Sequence, residues 1–403
     1  MRIALFSETY PPLINGVSTH VKCLRDGLVK EGHEVLVLYA DPKAKSFRLK
    51  EGVLVCPSLA LKKIYGFGLA DSARVARSRY LSYFMPEIIH IHSEFGIGLA
   101  GVLAAKRLDV PFVHTMHTMY KEYMHYIMPK ILTKPGLKVA QAYARYIGER
   151  AKELIGPSRK IAEFFKACGV KKEVNIISNT VELDLFDVNF IDKAAIKEVK
   201  NKYRIADNDF VLCFCGRLGK EKSVDLLLKF FSHVIRKKQN SEYSAGGTAG
   251  EKMKLMIIGD GPCANELKEL TVKLKISDKV IFTGRVEHDQ MPPYYAACNM
   301  YVTASTTEID SISMKEAMAT NLPALYIADK LNRDQIIHGG NGFIYRNADE
   351  MYNYIQEYCN YSPDLKEKMR KKARESVVKY GFDEWIKRVL DVYKKALLPE
   401  TTR

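Results

Sequence analysis

The sequence lacks the features of membrane-spanning, secreted and zinc-binding proteins. No apolar run approaches the roughly 20 residues that a spanning helix needs. The opening MRIALFSETYPP is typical of a short strand entering a turn, not of a secretory signal. The eight cysteines include no CxxC pair, so we expect reduced structural thiols and no zinc site. These absences predict a cytoplasmic protein in which any membrane contact is peripheral.

Acidic residues are also scarce, and the shortage is uneven. The chain has 62 Lys and Arg against 47 Asp and Glu, a net charge of +15. Residues 1–180 hold 27 basic and 15 acidic residues, a net of +12, which leaves +3 for the other residues. This excess favours an anionic partner for the N-terminal half: a membrane surface, a nucleic acid or an acidic substrate. Because no nucleic-acid-reading motif is present, we expect no nucleic acid partner. The other interpretation is a generally Lys-rich proteome.

What is present is an alternation of apolar strands and amphipathic helices that occurs twice. The first series opens with RIALFSE, and the second opens near residue 209 with DFVLCFCGRL. Apolar runs without polar alternation predict parallel sheets covered on both faces. The fold class is therefore α/β, with two tandem Rossmann-like domains and a deep inter-domain cleft at the carboxyl ends of the strands.

We place the domain boundaries by composition. The predicted domains are an N-terminal domain, a C-terminal domain and a terminal helix, over residues 1–190, 191–380 and 381–403. The terminal helix has apolar positions at Trp385, Val389, Val392 and Leu397. It would cap its own domain or cross back to the first domain, and we expect the crossing. Residues 238–252 are predicted to form a flexible surface excursion.

Two motifs follow strands of the second series. GRLGKEK, residues 216–222, carries Arg217 and Lys222, whose cationic groups suit phosphate oxygens without a metal. Ordinary loop basicity is the alternative. IIGDGP, residues 257–262, carries Gly259 and Gly261, which would let the backbone approach a phosphate closely. A tight turn would use the same glycines.

A third motif, STTEIDSISMKEAMATNLP, carries two glutamates after another predicted strand. Glu308 lies in the loop, and Glu316 lies near the start of a predicted helix. Each carboxylate could accept hydrogen bonds from vicinal hydroxyls of a sugar or ribose. The alternative for Glu316 is a first-turn acid that stabilises the helix dipole on a solvated face.

Two candidates lie in the N-terminal half. Gly16 begins the first predicted helix, where backbone N–H groups are available to a phosphate. His117 follows another strand in PFVHTMH. A lone histidine is more often structural, but the end of a strand favours a ligand contact.

Two segments mix basic and aromatic residues in a pattern that suits an anionic bilayer surface, where each basic residue contributes ~1 kcal/mol. A solvated helix face is the alternative for each. The candidate membrane-binding residues in segments 62–84 and 130–150 are Lys62, Lys63, Arg74, Arg77, Arg79, Lys130, Lys134 and Lys138.

The ordered set of motifs resembles the family 4 retaining glycosyltransferases, which have the GT-B fold, and it covers essentially the whole chain. The carriers include FSETYPPLINGVSTHV, IIHIHSEFGIG, ELIGPSRKIAEFF, CGRLGKEKSVDLLL, IIGDGP and the E-x7-E motif that leads into EAMATNLPAL. The opening and HTMYKEYMHYI are most similar to bacterial diacylglycerol glucosyltransferases. The resemblance implies a metal-independent hexosyltransferase that uses UDP-glucose and a lipid acceptor at the inner face of the cell membrane.

The resemblance also implies roles for single residues. Gly16 would contact the donor diphosphate, and Arg217 and Lys222 would neutralise it as it leaves. Glu308 and His117 would bind the hexose, His117 near its 6-hydroxyl. The remaining donor-binding residues would be Glu316 on the ribose, Val286 at the base through its backbone, and Gly259, Gly261, Ser311 and Ile312 in the surrounding loops. No cofactor and no metal would be needed.

The donor loop departs from the family pattern at one position. Ser311 stands where relatives usually have glycine, and Asp310 precedes it. A serine disfavours positive φ, and Asp310 adds negative charge near a diphosphate. The departure predicts altered donor geometry. The alternatives are the same fold acting on another lipid-linked or soluble glycan acceptor, and a non-catalytic nucleotide-sugar or membrane binder weakened at Ser311.

Overall fold

The computed structural model describes residues 1–13, 15–61, 67–117, 133–244, 252–329 and 335–399. The chain divides into two compact units, Met1–Thr180 with Phe382–Arg403, and Val181–Gly381. The predicted boundary after residue 190 therefore falls inside the second unit. The physical reason is that Val181 and Phe186 are buried in the core of that unit.

The first unit contains a mostly parallel sheet. Its strands are Arg2–Ser7 (β1), Glu34–Asp41 (β2), Arg48–Lys50 (β3), Val53–Leu61 (β4), Phe67–Ala70 (β5), Ile88–Ile91 (β6), Phe112–Thr115 (β7), Glu153–Gly156 (β8) and Val174–Ile176 (β9). Their order is β3-β4-β2-β1-β6-β7-β8-β9, and β5 also pairs with β4. The strands β3 and β5 run antiparallel to β4, and both were missed by the sequence patterns.

Helices of the first unit connect these strands. They are Gly16–Lys30 (α1), Ser72–Ala76 (α2), Arg79–Phe84 (α3), Gly96–Leu108 (α4), Thr133–Arg150 (α5) and Arg159–Ala167 (α6). The first helix begins at Gly16 because the Asn15 side chain caps it, accepting a hydrogen bond from the Ser18 backbone N–H at 2.9 Å. Its predicted apolar stripe is buried at Val21, Leu24 and Leu28.

The second unit has a parallel sheet of order β12-β11-β10-β13-β14-β15 among its described residues. The strands are Phe210–Cys215 (β10), Met253–Ile258 (β11), Val280–Gly284 (β12), Met300–Thr303 (β13), Ala324–Ile327 (β14) and Gly342–Tyr345 (β15). Apolar side chains of β10 enter both core clusters of the unit, as a sheet covered on both faces requires.

Helices cover both faces of this second sheet. They are Lys193–Lys202 (α7), Val224–Ser244 (α8), Ala264–Lys273 (α9), Pro292–Ala296 (α10), Ile312–Ala319 (α11), Ala348–Asn360 (α12) and Pro363–Val378 (α13). The excursion predicted over residues 238–252 is shorter than expected, because α8 continues to Ser244. Most of the remainder of that segment lies outside the described residues.

The C-terminal helix Phe382–Leu397 (α14) belongs to the first unit, as the predicted crossing requires. Trp385, Val389 and Tyr393 are buried in the core of that unit. Leu397, by contrast, is largely exposed, because the apolar stripe ends one residue earlier at Ala396. Within the described part of the chain, no helix is both long enough and apolar enough to cross a bilayer.

Candidate functional site

A histidine cluster lies beyond the carboxyl ends of β6 and β7 in the first unit. We define it as His20 from α1, His92 directly after β6, and His117 two residues after β7. Nδ1 of His92 is 3.1 Å from Nε2 of His117, and the ring centroids of His20 and His117 are 4.5 Å apart. Sequence reasoning found only His117. The signal for His92 was its place after a strand in IIHIH.

Side chains behind the histidine cluster hold it in place. The Nδ1 atom of His20 is 3.0 Å from the amide oxygen of Asn179, and its ring packs at 5.0 Å against Trp385 of α14. The ring of His90 lies 4.0 Å from that of His92. Its two nitrogens are hydrogen-bonded to the Tyr393 hydroxyl at 2.6 Å and to the Thr115 hydroxyl at 2.7 Å. The terminal helix therefore fixes the cluster through two aromatic side chains.

The histidine cluster is uncharged at neutral pH. Burial lowers the pKa of His20 to about 4. Burial, reinforced by the neighbouring histidines, lowers the pKa of His92 and His117 well below the ordinary value. The cluster can therefore donate and accept hydrogen bonds, but it carries no positive charge for a phosphate.

A buried carboxyl near β1 is also neutral. Glu8 follows β1, and its Oε1 accepts a hydrogen bond from the Ile97 backbone N–H at 2.9 Å. Burial, with the nearby Glu94, raises the pKa of Glu8 to about 8. Sequence reasoning missed Glu8, although its position after the first strand marked it as a candidate.

Gly16 lies at the start of α1, as predicted. A Cβ atom placed on Gly16 would meet no atom of the described residues within 4 Å. Among those residues, neither packing nor a positive φ requires glycine here. The described part of the chain therefore leaves room for a ligand next to Gly16.

The GRLGKEK loop in the second unit follows β10 and is supported by the IIGDGP turn. The Leu218 backbone N–H donates to the Asp260 carbonyl at 3.0 Å. A Cβ on Gly261 would lie 2.7 Å from the Leu218 backbone, and Gly259 has a φ of +129°. Both glycines thus let the turn pack against the loop. Their predicted contact with a ligand stays a prediction.

The structure brings together Lys222 and Glu308, which are far apart in sequence. The Lys222 Nζ atom donates to Oε1 of Glu308 at 2.7 Å. Arg217, from the same loop as Lys222, is half-buried. A lysine ammonium group and a glutamate carboxylate therefore form an ion pair beyond the carboxyl ends of β10 and β13.

Glu316 lies inside α11, not in its first turn as predicted, because the helix already begins at Ile312. Its Oε1 is 3.0 Å from Nε2 of His288, and its Oε2 accepts a hydrogen bond from the Tyr295 hydroxyl at 3.1 Å. The hydrogen bond with Glu316 raises the pKa of His288. The side chains of Glu308 and Glu316 are only 11% and 8% exposed, which excludes a solvated face.

The structure accommodates both residues at which the donor loop departs from the family pattern, and their effect on the donor stays a prediction. Ser311 has a φ of −77°, so no positive φ is required, and its hydroxyl caps α11 by accepting from the Met314 N–H. Asp310 is buried and pairs at 2.7 Å with Lys315. It also accepts from the Gln335 amide at 3.1 Å. Burial lowers the pKa of Lys315, and Asp310 opposes that shift. The charge of Asp310 is thus compensated inside the unit by a lysine that the sequence patterns missed.

Two other predicted donor contacts, Val286 and Ile312, belong to half-buried residues of the second unit. Val286 is half-buried and packs against that core, and Ile312 is the half-buried first residue of α11. The described residues do not test their predicted contacts with a donor.

The predicted membrane-binding residues are only partly described. Lys62, Lys63 and Lys130 lie outside the described residues, as does the side chain of Lys134. Arg74, Arg77, Arg79 and Lys138 are exposed. Segment 62–84 does not form one amphipathic helix, since it contains β5, α2 and α3. Large apolar side chains are exposed nearby, with Tyr83 80% and Val139 70% accessible.

Among the described residues, one group has a geometry that could hold a metal ion. The ligand atoms of His20, His92 and His117 lie within 4.8 Å of one another. Three imidazole nitrogens suit Zn²⁺ or Cu²⁺, whereas Mg²⁺ prefers oxygen ligands. The group is therefore unlike a magnesium site for a diphosphate.

The chain is similar to known proteins over nearly its whole length. Residues 14–185 match the Glycosyltransferase Family 4 model, and residues 195–376 match the Glycosyl transferases group 1 model. The alpha-monoglucosyldiacylglycerol synthase of Streptococcus pneumoniae is 28% identical over 99% of this chain and 86% of that protein. The Acholeplasma laidlawii protein with that name is 29% identical, over 98% of this chain and 96% of its own length.

Solved structures show the same fold. Anabaena HepE, crystallised with UDP and glucose, has a TM-score of 0.73 at 17% identity and covers 98% of this chain and 99% of its own. A sucrose-phosphate synthase from Thermosynechococcus elongatus has a TM-score of 0.73 at 18% identity, covering 98% of both chains. Such a likeness establishes the GT-B fold of two parallel α/β domains.

Proposed function

We propose a specific reaction for this chain, which is a hexosyltransferase of the GT-B fold with a family 4 domain followed by a group 1 domain. The reaction is the transfer of glucose from UDP-glucose to 1,2-diacylglycerol, with retention of the anomeric configuration and without a metal ion. The observation that carries the proposal is the Lys222–Glu308 pair beyond the strand ends of the second unit. Two full-length relatives named as alpha-monoglucosyldiacylglycerol synthases support the acceptor and the hexose.

The charge on the leaving diphosphate is the main demand of this reaction. Arg217 and Lys222 lie in one loop after β10 and would neutralise that charge. A single such cation contributes ~3 kcal/mol of transition-state stabilisation, by analogy with an oxyanion donor. When the donor binds, Lys222 would turn from Glu308 towards phosphate. The freed Glu308 carboxylate would then accept hydrogen bonds from the hexose.

Glu316 is suited to the ribose of the donor. Its two oxygens are oriented by His288 and Tyr295, and the carboxylate is mostly buried. Oriented carboxylate oxygens can accept hydrogen bonds from two vicinal hydroxyls without a large loss of side-chain entropy. We assign the base to the backbone of Val286 and the nearby loop contacts to Ser311 and Ile312.

The transfer step needs no protein nucleophile. The bond from the anomeric carbon to the UDP oxygen breaks, and the acceptor oxygen bonds to the same face of that carbon. A phosphate oxygen of the leaving UDP takes the proton of the acceptor hydroxyl. The protein supplies positioning and charge stabilisation, with Gly16 at the diphosphate and His117 at the hexose.

The acceptor requires access to a lipid surface. Exposed Arg74, Arg77, Arg79 and Lys138, with exposed Tyr83, would attach the first unit peripherally to an anionic leaflet. We place the protein at the cytoplasmic face of the cell membrane. The excess positive charge of residues 1–180 supports this placement.

The test measures glucose transfer from UDP-glucose to vesicles of phosphatidylglycerol and diacylglycerol, with and without EDTA. We expect transfer that survives EDTA and falls when zwitterionic phosphatidylcholine replaces the phosphatidylglycerol while the diacylglycerol is kept. NMR of the anomeric proton identifies the configuration of the product. Equal transfer to soluble sugars, with no effect of vesicles, would overturn the lipid acceptor. Turnover of GDP-mannose in place of UDP-glucose would contradict the assignment of UDP-glucose as the donor.

A charge-matched pair of variants tests the attachment. Replacing Arg74, Arg77 and Arg79 by Glu should lower transfer on anionic vesicles. The control replaces the exposed residues Lys368, Lys371 and Lys372 of α13 by Glu, which changes the net charge equally. Equal losses in both variants would show that overall charge, not this surface, attracts the vesicles.

A further inference from the structure

His92 is the most buried member of the histidine cluster, and the proposed reaction assigns it no role. The residue is only 2% exposed, and its Nδ1 lies 3.1 Å from Nε2 of His117. The other ring nitrogen of His92 is buried and has no hydrogen-bond partner among the described residues. The two ring nitrogens of His92 therefore differ in their hydrogen bonding, and this difference indicates which of them carries the proton.

A neutral imidazole has one N–H, so only one of the two rings donates in the His92–His117 hydrogen bond. If His117 donated, the proton of His92 would lie on its Nε2, leaving a buried N–H without an acceptor. If His92 donates, its buried Nε2 is a bare acceptor. Buried N–H groups without a partner are rarer in proteins than under-satisfied acceptors. The arrangement in which His92 donates the hydrogen bond to His117 is therefore favoured.

We infer that His92 is a positioning residue that sets the tautomer of His117. Its Nδ1–H donates to Nε2 of His117, so the proton of His117 lies on Nδ1. His117 then offers the substrate a hydrogen-bond donor at Nδ1 and no acceptor.

The neighbouring histidines His20 and His90 do not set the tautomer of His117. Nδ1 of His20 lies next to the Asn179 amide oxygen, which only accepts, so His20 carries its proton on Nδ1 and has none on Nε2 to give His117. His90 uses both nitrogens on the Tyr393 and Thr115 hydroxyls. Among the described residues, His92 thus makes the hydrogen bond that orients the imidazole of His117.

The consequence for specificity rests on the proposed function, in which His117 contacts the hexose. A donor at Nδ1 requires an oxygen with a lone pair on the sugar. A UDP-hexose that lacks the contacted hydroxyl would lose this hydrogen bond. The tautomer itself is independent of the sugar and of the acceptor lipid.

Nitrogen-15 NMR of histidine-labelled full-length protein tests the tautomer directly, because protonated and bare ring nitrogens have well-separated shifts. EDTA keeps metal ions from the imidazoles, and the spectrum of His117→Gln assigns the His117 signals. We expect a protonated Nδ1 and a bare Nε2 on His117 in the unmodified protein. A protonated Nε2 and bare Nδ1 would overturn the inference, whether or not the protein glucosylates diacylglycerol.

Two variants of His92 provide the matched comparison. In His92→Asn the amide nitrogen replaces Nδ1 as a donor, so the His117 tautomer should be kept and kcat should stay close to that of the unmodified protein. In His92→Asp the side chain only accepts, so the proton should move to Nε2 of His117. The kcat should then fall by about 10- to 100-fold, as for other groups that orient a ligand-binding histidine. An unchanged His117 spectrum in folded His92→Asp would overturn the inference.

Discussion

The two units form their polar sites from opposite kinds of groups. The first unit uses neutral groups, namely the histidine cluster and a carboxyl, Glu8, whose pKa is raised to about 8. The second unit uses ions, with Lys222 paired to Glu308 and Lys315 paired to Asp310. Yet residues 1–180 carry the excess of positive charge. The described candidate membrane-binding residues of the first unit are exposed, whereas its histidine cluster and Glu8 are neutral.

The difference assigns each site a different ligand chemistry. Neutral imidazoles recognise hydroxyl groups by hydrogen bonding, and burial keeps them neutral. A paired cation can exchange its carboxylate for a phosphate, because both partners remain compensated when the ligand arrives. In the proposed reaction, hexose hydroxyls would use the first chemistry at His117, and the diphosphate would use the second at Lys222.

The largest expected effect comes from removing the exchangeable cation of the second unit. Lys222→Ala should lower kcat/KM for UDP-glucose by about 100-fold or more, corresponding to ~3 kcal/mol of transition-state stabilisation. Lys222→Arg should retain most of the rate because it preserves the charge. Steady-state kinetics with lipid vesicles measures both variants.

Lys220→Ala is the control, since Lys220 is exposed two residues before Lys222 in the same loop. Thermal unfolding should be measured alongside, because the substitution leaves the Glu308 carboxylate without this partner. Wild-type-like rates for Lys222→Ala would remove Lys222 from the site and weaken the contrast between the units.

Much of the fold could be predicted from the sequence because its strands are buried on both faces. The strands β1 and β10 appear as uninterrupted apolar runs, and α14 has a clear helical stripe at Trp385 and Val389. The hairpin strands β3 and β5 could not be predicted in this way. All three residues of Arg48–Lys50 are exposed, so the segment contains no apolar pattern.

Position after a strand predicted only part of the site. His117 and Glu308 lie in segments that follow strands, and both pair with other side chains. His92 follows β6 directly and was nevertheless missed, because the sequence does not show which side chains it meets in the folded unit. Lys315 was missed because a local pattern does not show its burial. Ser311 has a φ of −77° and shows no strain, and the altered donor geometry predicted from it stays a prediction.

A smaller effect is expected when a methyl group fills the space next to Gly16 in the first unit. Gly16→Ala adds a methyl group that meets no atom of the described residues within 4 Å, so the unfolding temperature should stay unchanged. The KM for UDP-glucose should rise by about tenfold if the diphosphate approaches this helix start, a loss of ~1.4 kcal/mol in binding. Isothermal titration with UDP measures the affinity without turnover.

The matched control lies in the same helix. A Cβ on Gly27 would come within 2.3 Å of Ile386 in α14. Gly27→Ala should therefore lower the unfolding temperature through overpacking, and its UDP affinity should not change in the folded protein. Equal UDP affinity in Gly16→Ala and the unmodified protein would remove Gly16 from the donor site.

The smallest effect is expected at Ser311, where this chain departs from its relatives. Ser311→Gly removes a hydroxyl that caps α11, and a Ser-to-Gly change at such a position costs only a few tenths of a kcal/mol. Because the loop already has a φ of −77° at Ser311, glycine offers the unliganded protein no conformational advantage. We expect unchanged kcat/KM values for UDP-glucose and an unchanged preference over GDP-mannose. A gain in either value would mean that the bound loop adopts a positive φ, and that the ionic site of the second unit reshapes its backbone when the donor arrives.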